Sequence, residues 1–191
     1  MSEDSLSILC GQTWHWDSRD ENQIIFGDNG IGKLICRSEL NVWIAAEFDW
    51  KLLGIGKNDQ QNAGERRWWS SGLASGGGGT ETRLMLEIAL AKRRIANLGD
   101  AEMSRYKINE EVLTDEAFLP KKFVVTLQSG KFKTQFDALG KTELPGTPRF
   151  GFRLVFDQSP YPRRNQWREP DGAPDAMKFW EWTEFCGGEI K

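Results

Sequence analysis

Two carboxylates near the end of the chain, Glu181 and Glu184, stand inside the aromatic string KFWEWTEFC over residues 178–186 and are the candidates for acid–base chemistry. If the string is a strand, one of them enters the interior in either register. With Phe179 and Phe185 inward, Glu181 and Thr183 accompany them; with Trp180 and Trp182 inward, Glu184 does. A carboxylate in an apolar interior is desolvated, its pKa rises, and it becomes a general acid or a hydrogen-bond anchor. The alternative is a rim glutamate paired with an arginine.

The chain has nine tryptophans, more than packing requires and well suited to recognition of flat rings. Trp14 with Trp16 and Trp180 with Trp182 form two W-x-W elements in the terminal strands, which a barrel brings together. Trp14 reads as a core plug where the barrel closes, whereas Trp16, Trp180 and Trp182 are candidates for an aromatic wall facing a ligand. Phe48, Trp50 and Phe152 join them on inward faces. Arg66-Arg67-Trp68-Trp69 precedes a glycine run; Arg66, Trp68 and Trp69 are candidates for a lid over the cavity, or one tryptophan is a local staple.

Other chemistry is excluded by residue counts. His15 is the only histidine, so a multi-histidine metal site within one chain is impossible and a catalytic triad would have to pass through that position. No metal or other cofactor is expected. Cys10, Cys36 and Cys186 show no C-x-x-C spacing and are odd in number, which argues against a disulfide framework and for a reducing compartment. Glu47 and Asp49 share the outer face of their strand and read as solvated. A net charge of -3 provides no cationic field for nucleic acid.

Gly27–Lys33 (GDNGIGK) fits the G-x-x-x-x-G-K frame of a phosphate-binding loop. That loop needs Ser or Thr after its lysine and a helix opening there. Leu34 follows instead, and the residues beyond it alternate as in a strand. The Asn-Gly pair therefore predicts a tight hairpin.

These residues must be positioned by strands. Alternating polarity predicts strands over 8–17, 23–27, 33–39, 40–52, 81–95, 123–127, 131–136, 149–157 and 176–186. Val42, Ile44, Ala46, Phe48, Trp50 and Leu52 make one apolar face, and Phe150, Phe152, Leu154 and Phe156 another. Ser129-Gly130 reads as a hairpin turn, and Thr114 as the cap of a short helical turn over 115–119. Residues 54–80 show no period. No segment is long and apolar enough for a membrane span, and the acidic N-terminus lacks the pattern of a secretory signal. The fold class expected is all-β: one domain over residues 1–191, a single antiparallel up-and-down barrel of eight to nine strands with little helix. A cytoplasmic location is expected.

Gly11-Gln12-Thr13-Trp14, at the start of such a chain, is similar to the glycine-tryptophan signature of the calycins, the lipocalin and fatty-acid-binding group, with one residue more between glycine and tryptophan. The resemblance implies a cup-shaped barrel with a ligand cavity and assigns no chemistry. The expectation is thus a protein that binds a small apolar or aromatic molecule inside its barrel. One alternative is a cofactor-free isomerase or cyclase using the same cavity; another is a module that docks a protein or carbohydrate through exposed tryptophans.

Overall fold

The computed structural model describes residues 2–38, 41–56, 81–95, 109–140 and 145–190. Arg66, Trp68 and Trp69, and with them the expected lid, lie outside the described residues.

Eight strands form a closed antiparallel ring in chain order: β1 (Thr13–His15), β2 (Gln23–Phe26), β3 (Ile31–Ser38), β4 (Asn41–Gly56), β5 (Glu81–Arg94), β6 (Lys121–Phe132), β7 (Arg149–Phe156) and β8 (Glu184–Ile190). The ring closes through one register pair, His15 opposite Cys186. An eight-stranded barrel is just wide enough to be filled by side chains or to hold one small ligand. Here Trp14, Ile24, Phe26, Leu34, Ile44, Phe48, Leu84, Leu86, Val125, Leu154 and Phe185 are buried completely or nearly so. Phe26 meets Phe48 and Trp50 edge-on at 5.4 and 5.3 Å, and Phe156 meets Phe123 and Phe185 at 5.9 and 5.7 Å.

The hairpin expected at GDNGIGK joins β2 to β3. Gly27 N–H donates to Ile31 O at 2.9 Å, and Gly30 adopts φ +79. Gly32 lies between Phe26 and Phe48 in the ladder, and a Cβ there would run into the Phe48 ring. Lys33 is exposed on a strand, not at the opening of a helix.

Four of the expected strands come out differently. The first, over 8–17, is mostly helix: α1 (Ser2–Cys10) precedes the three-residue β1. Ser5 and Leu9, four apart, share its buried face, a helical period that the two-residue alternation of Trp14 and Trp16 obscures. Gly11 ends the helix, donating to Ser7 O at 2.8 Å, and Trp14 Nε1 donates to Leu9 O at 2.9 Å. Because β1 begins at the helix, α1 lies at the end of the barrel that holds the β2–β3 hairpin.

The strands expected at 123–127 and 131–136 are one strand, β6. Ser129-Gly130 forms an irregularity in its pairing with β7 and not a hairpin turn. The chain then turns into α3 (Gln135–Leu139). The last expected strand, 176–186, is replaced up to Thr183 by α4 (Ala173–Met177), Lys178 in the left-handed region, and a 3-10 turn over Phe179–Glu181. Three residues per turn make Phe179 and Trp182 neighbours, and their rings meet edge-on at 4.9 Å. With Tyr161 and Trp167 they close the barrel end opposite α1. Tyr161 O–H donates to Ile35 O at 2.7 Å.

The helical turn after Thr114 is present as a 3-10 turn over Asp115–Phe118, but Thr114 makes no side-chain cap. The short α2 (Asn109–Val112) precedes it. Asn109 reaches β4, donating from Nδ2 to Ala45 O at 3.1 Å and accepting Ala45 N–H at Oδ1 at 3.2 Å.

Candidate cleft between α3 and α4

A cavity of about 580 Å³ opens between α3 and the α4 segment. Its walls include Trp16, Phe136, Leu139, Met177 and Trp182, with Lys133, Asp137, Lys178 and Glu181 as charged groups. Trp16 leaves β1 and Trp182 approaches β8, the two strands that close the ring. Their rings stack at 3.6 Å with planes inclined by 14°. Phe136 of α3 tilts against Trp16 at 5.3 Å, and Trp182 meets Tyr161 at 5.5 Å, so one aromatic series runs from the cleft into the barrel cap.

Gln135 holds α3 over this junction. Its Oε1 accepts from Trp16 Nε1 at 3.1 Å, Thr183 N–H at 2.9 Å and Glu184 N–H at 3.0 Å. Thr134, wholly buried, caps α3: its Oγ1 accepts Asp137 N–H at 3.2 Å and donates to Asp137 Oδ2 at 2.7 Å. Ser18 Oγ donates to Asp137 Oδ1 at 3.1 Å, so both oxygens of that carboxylate are engaged. Below α3, Cys186 Sγ donates to Lys133 O at 3.2 Å, and burial pushes its thiol up to about 12. Burial also raises Cys36 and Cys10. None of the three is poised as a thiolate nucleophile, which requires a lowered pKa.

Of the residues singled out from the sequence, the fold brings Trp16, Trp182 and Glu181 together in this cleft. The others lie elsewhere. Phe48 is packed in the core against Phe26. Trp50 donates from Nε1 to Gly27 O at 3.0 Å, at the hairpin end of the barrel. Phe152 lies against Gly188, and Trp180 packs against the edge of the core. Neither glutamate enters the barrel. Glu184 pairs with Arg153 at 2.9 Å, the rim arrangement named above as the alternative. Glu181 is exposed at the cleft, 3.6 Å from Lys178 Nζ. The inward placement fails because the string carrying both residues begins as a helical turn.

His15 is half-buried beside Phe150, with ring centroids 5.9 Å apart. Its Nδ1 is 2.9 Å from Asp20 Oδ1 but makes no hydrogen bond. Burial lowers its pKa, against the opposing charges of Asp20, Asp17 and Glu189.

The contribution of Gln135, Phe136, Leu139, Met177 and Lys178 was not anticipated from the sequence. Thr134-x-x-Asp137 is a capping signature that could have located α3; nothing comparable marks Lys178. No family model, curated protein or solved structure matches the chain.

Proposed function

We propose that this protein binds a small molecule with an apolar or aromatic body, and that the binding site is the cleft between α3 and α4. The expected ligand class is kept while its place moves from the barrel interior to the outside of its closing junction. The observation that carries the reading is a cavity of about 580 Å³ walled by Trp16, Trp182, Phe136, Leu139 and Met177, within the size range of small-molecule sites, roughly 300–1,000 Å³. The interior is less suited, because a ligand there would displace fully buried core side chains.

Binding is favoured over the isomerase or cyclase alternative by the setting of the one carboxylate available for such a role. Glu181 is 59% exposed, so water competes at the position where a general acid should be shielded. Titration with phenylnaphthylamine, a neutral aromatic probe, tests the reading. Saturable binding is expected, and it should be lost in Ala176→Trp, which fills the cleft from an exposed position of α4 while the fold is retained. Undiminished binding by that variant would place the site elsewhere.

A further inference from the structure

Lys178 has a backbone conformation that its residue type does not favour. Among the described residues only Asp20 and Lys178 are non-glycine positions with positive φ, and Lys178 adopts φ 52, ψ 51. Aspartate is one of the residues that visits this region readily; lysine is not. The left-handed geometry is imposed by the chain. Lys178 N–H donates to Pro174 O at 2.7 Å to finish α4, and Lys178 O accepts Glu181 N–H at 2.8 Å to begin the 3-10 turn. Glycine is the ordinary occupant of such a position and would meet both requirements with less strain.

The lysine side chain is not explained by packing, being 57% exposed. Its ion pair with Glu181, at 3.6 Å and 59% exposed on the acid side, is of the loose kind that contributes little. The nearby Asp175 is already held by Arg164, at 2.7 Å through Nε and 2.7 Å through Nη2. What remains is that the backbone places Lys178 among the residues that line the cleft, with Met177 and Trp182. Across the cleft, Asp137 is committed to Thr134 and Ser18.

We infer that Lys178 is the anion anchor of the cleft and that the ligand is a flat apolar acid, with its hydrophobic body along Trp182, Met177 and Phe136 and its carboxylate or sulfonate on Lys178 Nζ. This rests on the cleft being the binding site. Glu181 is the resting counter-ion, which the ligand's own anion displaces. A glycine here would supply the turn without the charge.

Two probes with the same rings separate the claims: anilinonaphthalene sulfonate, which carries an anion, and phenylnaphthylamine, which does not. The wild-type protein should bind the sulfonate more tightly, with an affinity that falls as salt is added. Lys178→Gly should weaken the sulfonate by about tenfold, the scale of one charge-assisted contact, and leave the neutral probe unchanged. Its thermal midpoint should stay equal or rise, since glycine relieves the left-handed position. Lys178→Asn, also tolerant of that geometry, should behave alike. Unaltered sulfonate binding in both variants overturns the anion anchor while the cleft reading stands. If Ala176→Trp still binds both probes, or the wild type binds neither, the cleft reading fails and this inference with it.

Discussion

Trp16 and Trp182, from opposite ends of the chain, stack with ring centroids 3.6 Å apart and planes within 14° of parallel. The pair joins the strands that close the barrel, and its edge forms part of the cleft. Both rings are almost wholly buried, so they belong to the core and to the site at once. Replacement of Trp182 by alanine should therefore cost about 3–5 kcal/mol, the range for a buried aromatic, as read by urea denaturation. A loss below about 1 kcal/mol, outside that range, would show that the stack does not hold the junction.

Gln135 should be more than a packing residue. In Gln135→Ala three donors, Trp16 Nε1 and the backbone N–H groups of Thr183 and Glu184, lose their common acceptor. A loss of about 1–3 kcal/mol is expected. Amide exchange should accelerate at Thr183 and Glu184 and remain unchanged in the middle of β5. Exchange unaltered at those two amides would remove Gln135 from the closing junction.

The β2–β3 hairpin has a steric requirement at Gly32 and none at Lys33. Gly32→Ala meets the Phe48 ring and should destabilise by about 1–3 kcal/mol, as overpacking does. Lys33→Ala should be close to neutral. Calorimetry with ATP or GTP and magnesium should detect no binding; a micromolar affinity abolished by Lys33→Ala would restore the phosphate-loop reading.

Lys121 gives the alkaline limb of stability a definite sign. Burial, assisted by the charge of Arg163, lowers its pKa from 10.5 to about 8. Between these values the unfolded chain holds the extra proton, so this residue's contribution to stability rises with pH from about 8 to 10.5. Cys186 acts in the opposite direction, since its folded pKa of about 12 lies above the ordinary 9.0 and its contribution falls as pH rises beyond 9.0. The comparison of wild type with Lys121→Met isolates the first effect. Denaturation midpoints should converge or cross as pH is raised from 8 to 10.5; parallel curves would contradict the shift.

Much of the barrel was legible because β4, β5 and β7 alternate cleanly: Ile44, Ala46 and Phe48 face in, as do Leu84, Leu86 and Ile88. The hairpin at Asn29-Gly30 was legible from turn chemistry. The chain ends were not. Cys10, Trp14 and Trp16 suit a two-residue period as readily as a helix followed by a short strand, and KFWEWTEFC alternates although its first half is a helical turn. The cleft was legible only in fragments: Trp16, Trp182 and Glu181 stood out by residue type. Their convergence with Phe136 and Lys178 depends on where α3 and α4 come to rest, and that is decided by tertiary contacts such as those of Gln135.

The single register pair between His15 and Cys186 has a consequence for solubility. A closed ring has no edge strands; an opened one has two, β1 and β8, each with unpaired N–H and C=O groups that invite other copies to add on. The short junction is where such opening is expected to begin, and Gln135 holds α3 across it. Gln135→Ala should accordingly scatter light on warming at temperatures where the wild-type protein stays clear, before any loss of the long β4–β5 pairing. Side chains fill the ring from within, and Gln135 ties its seam from outside.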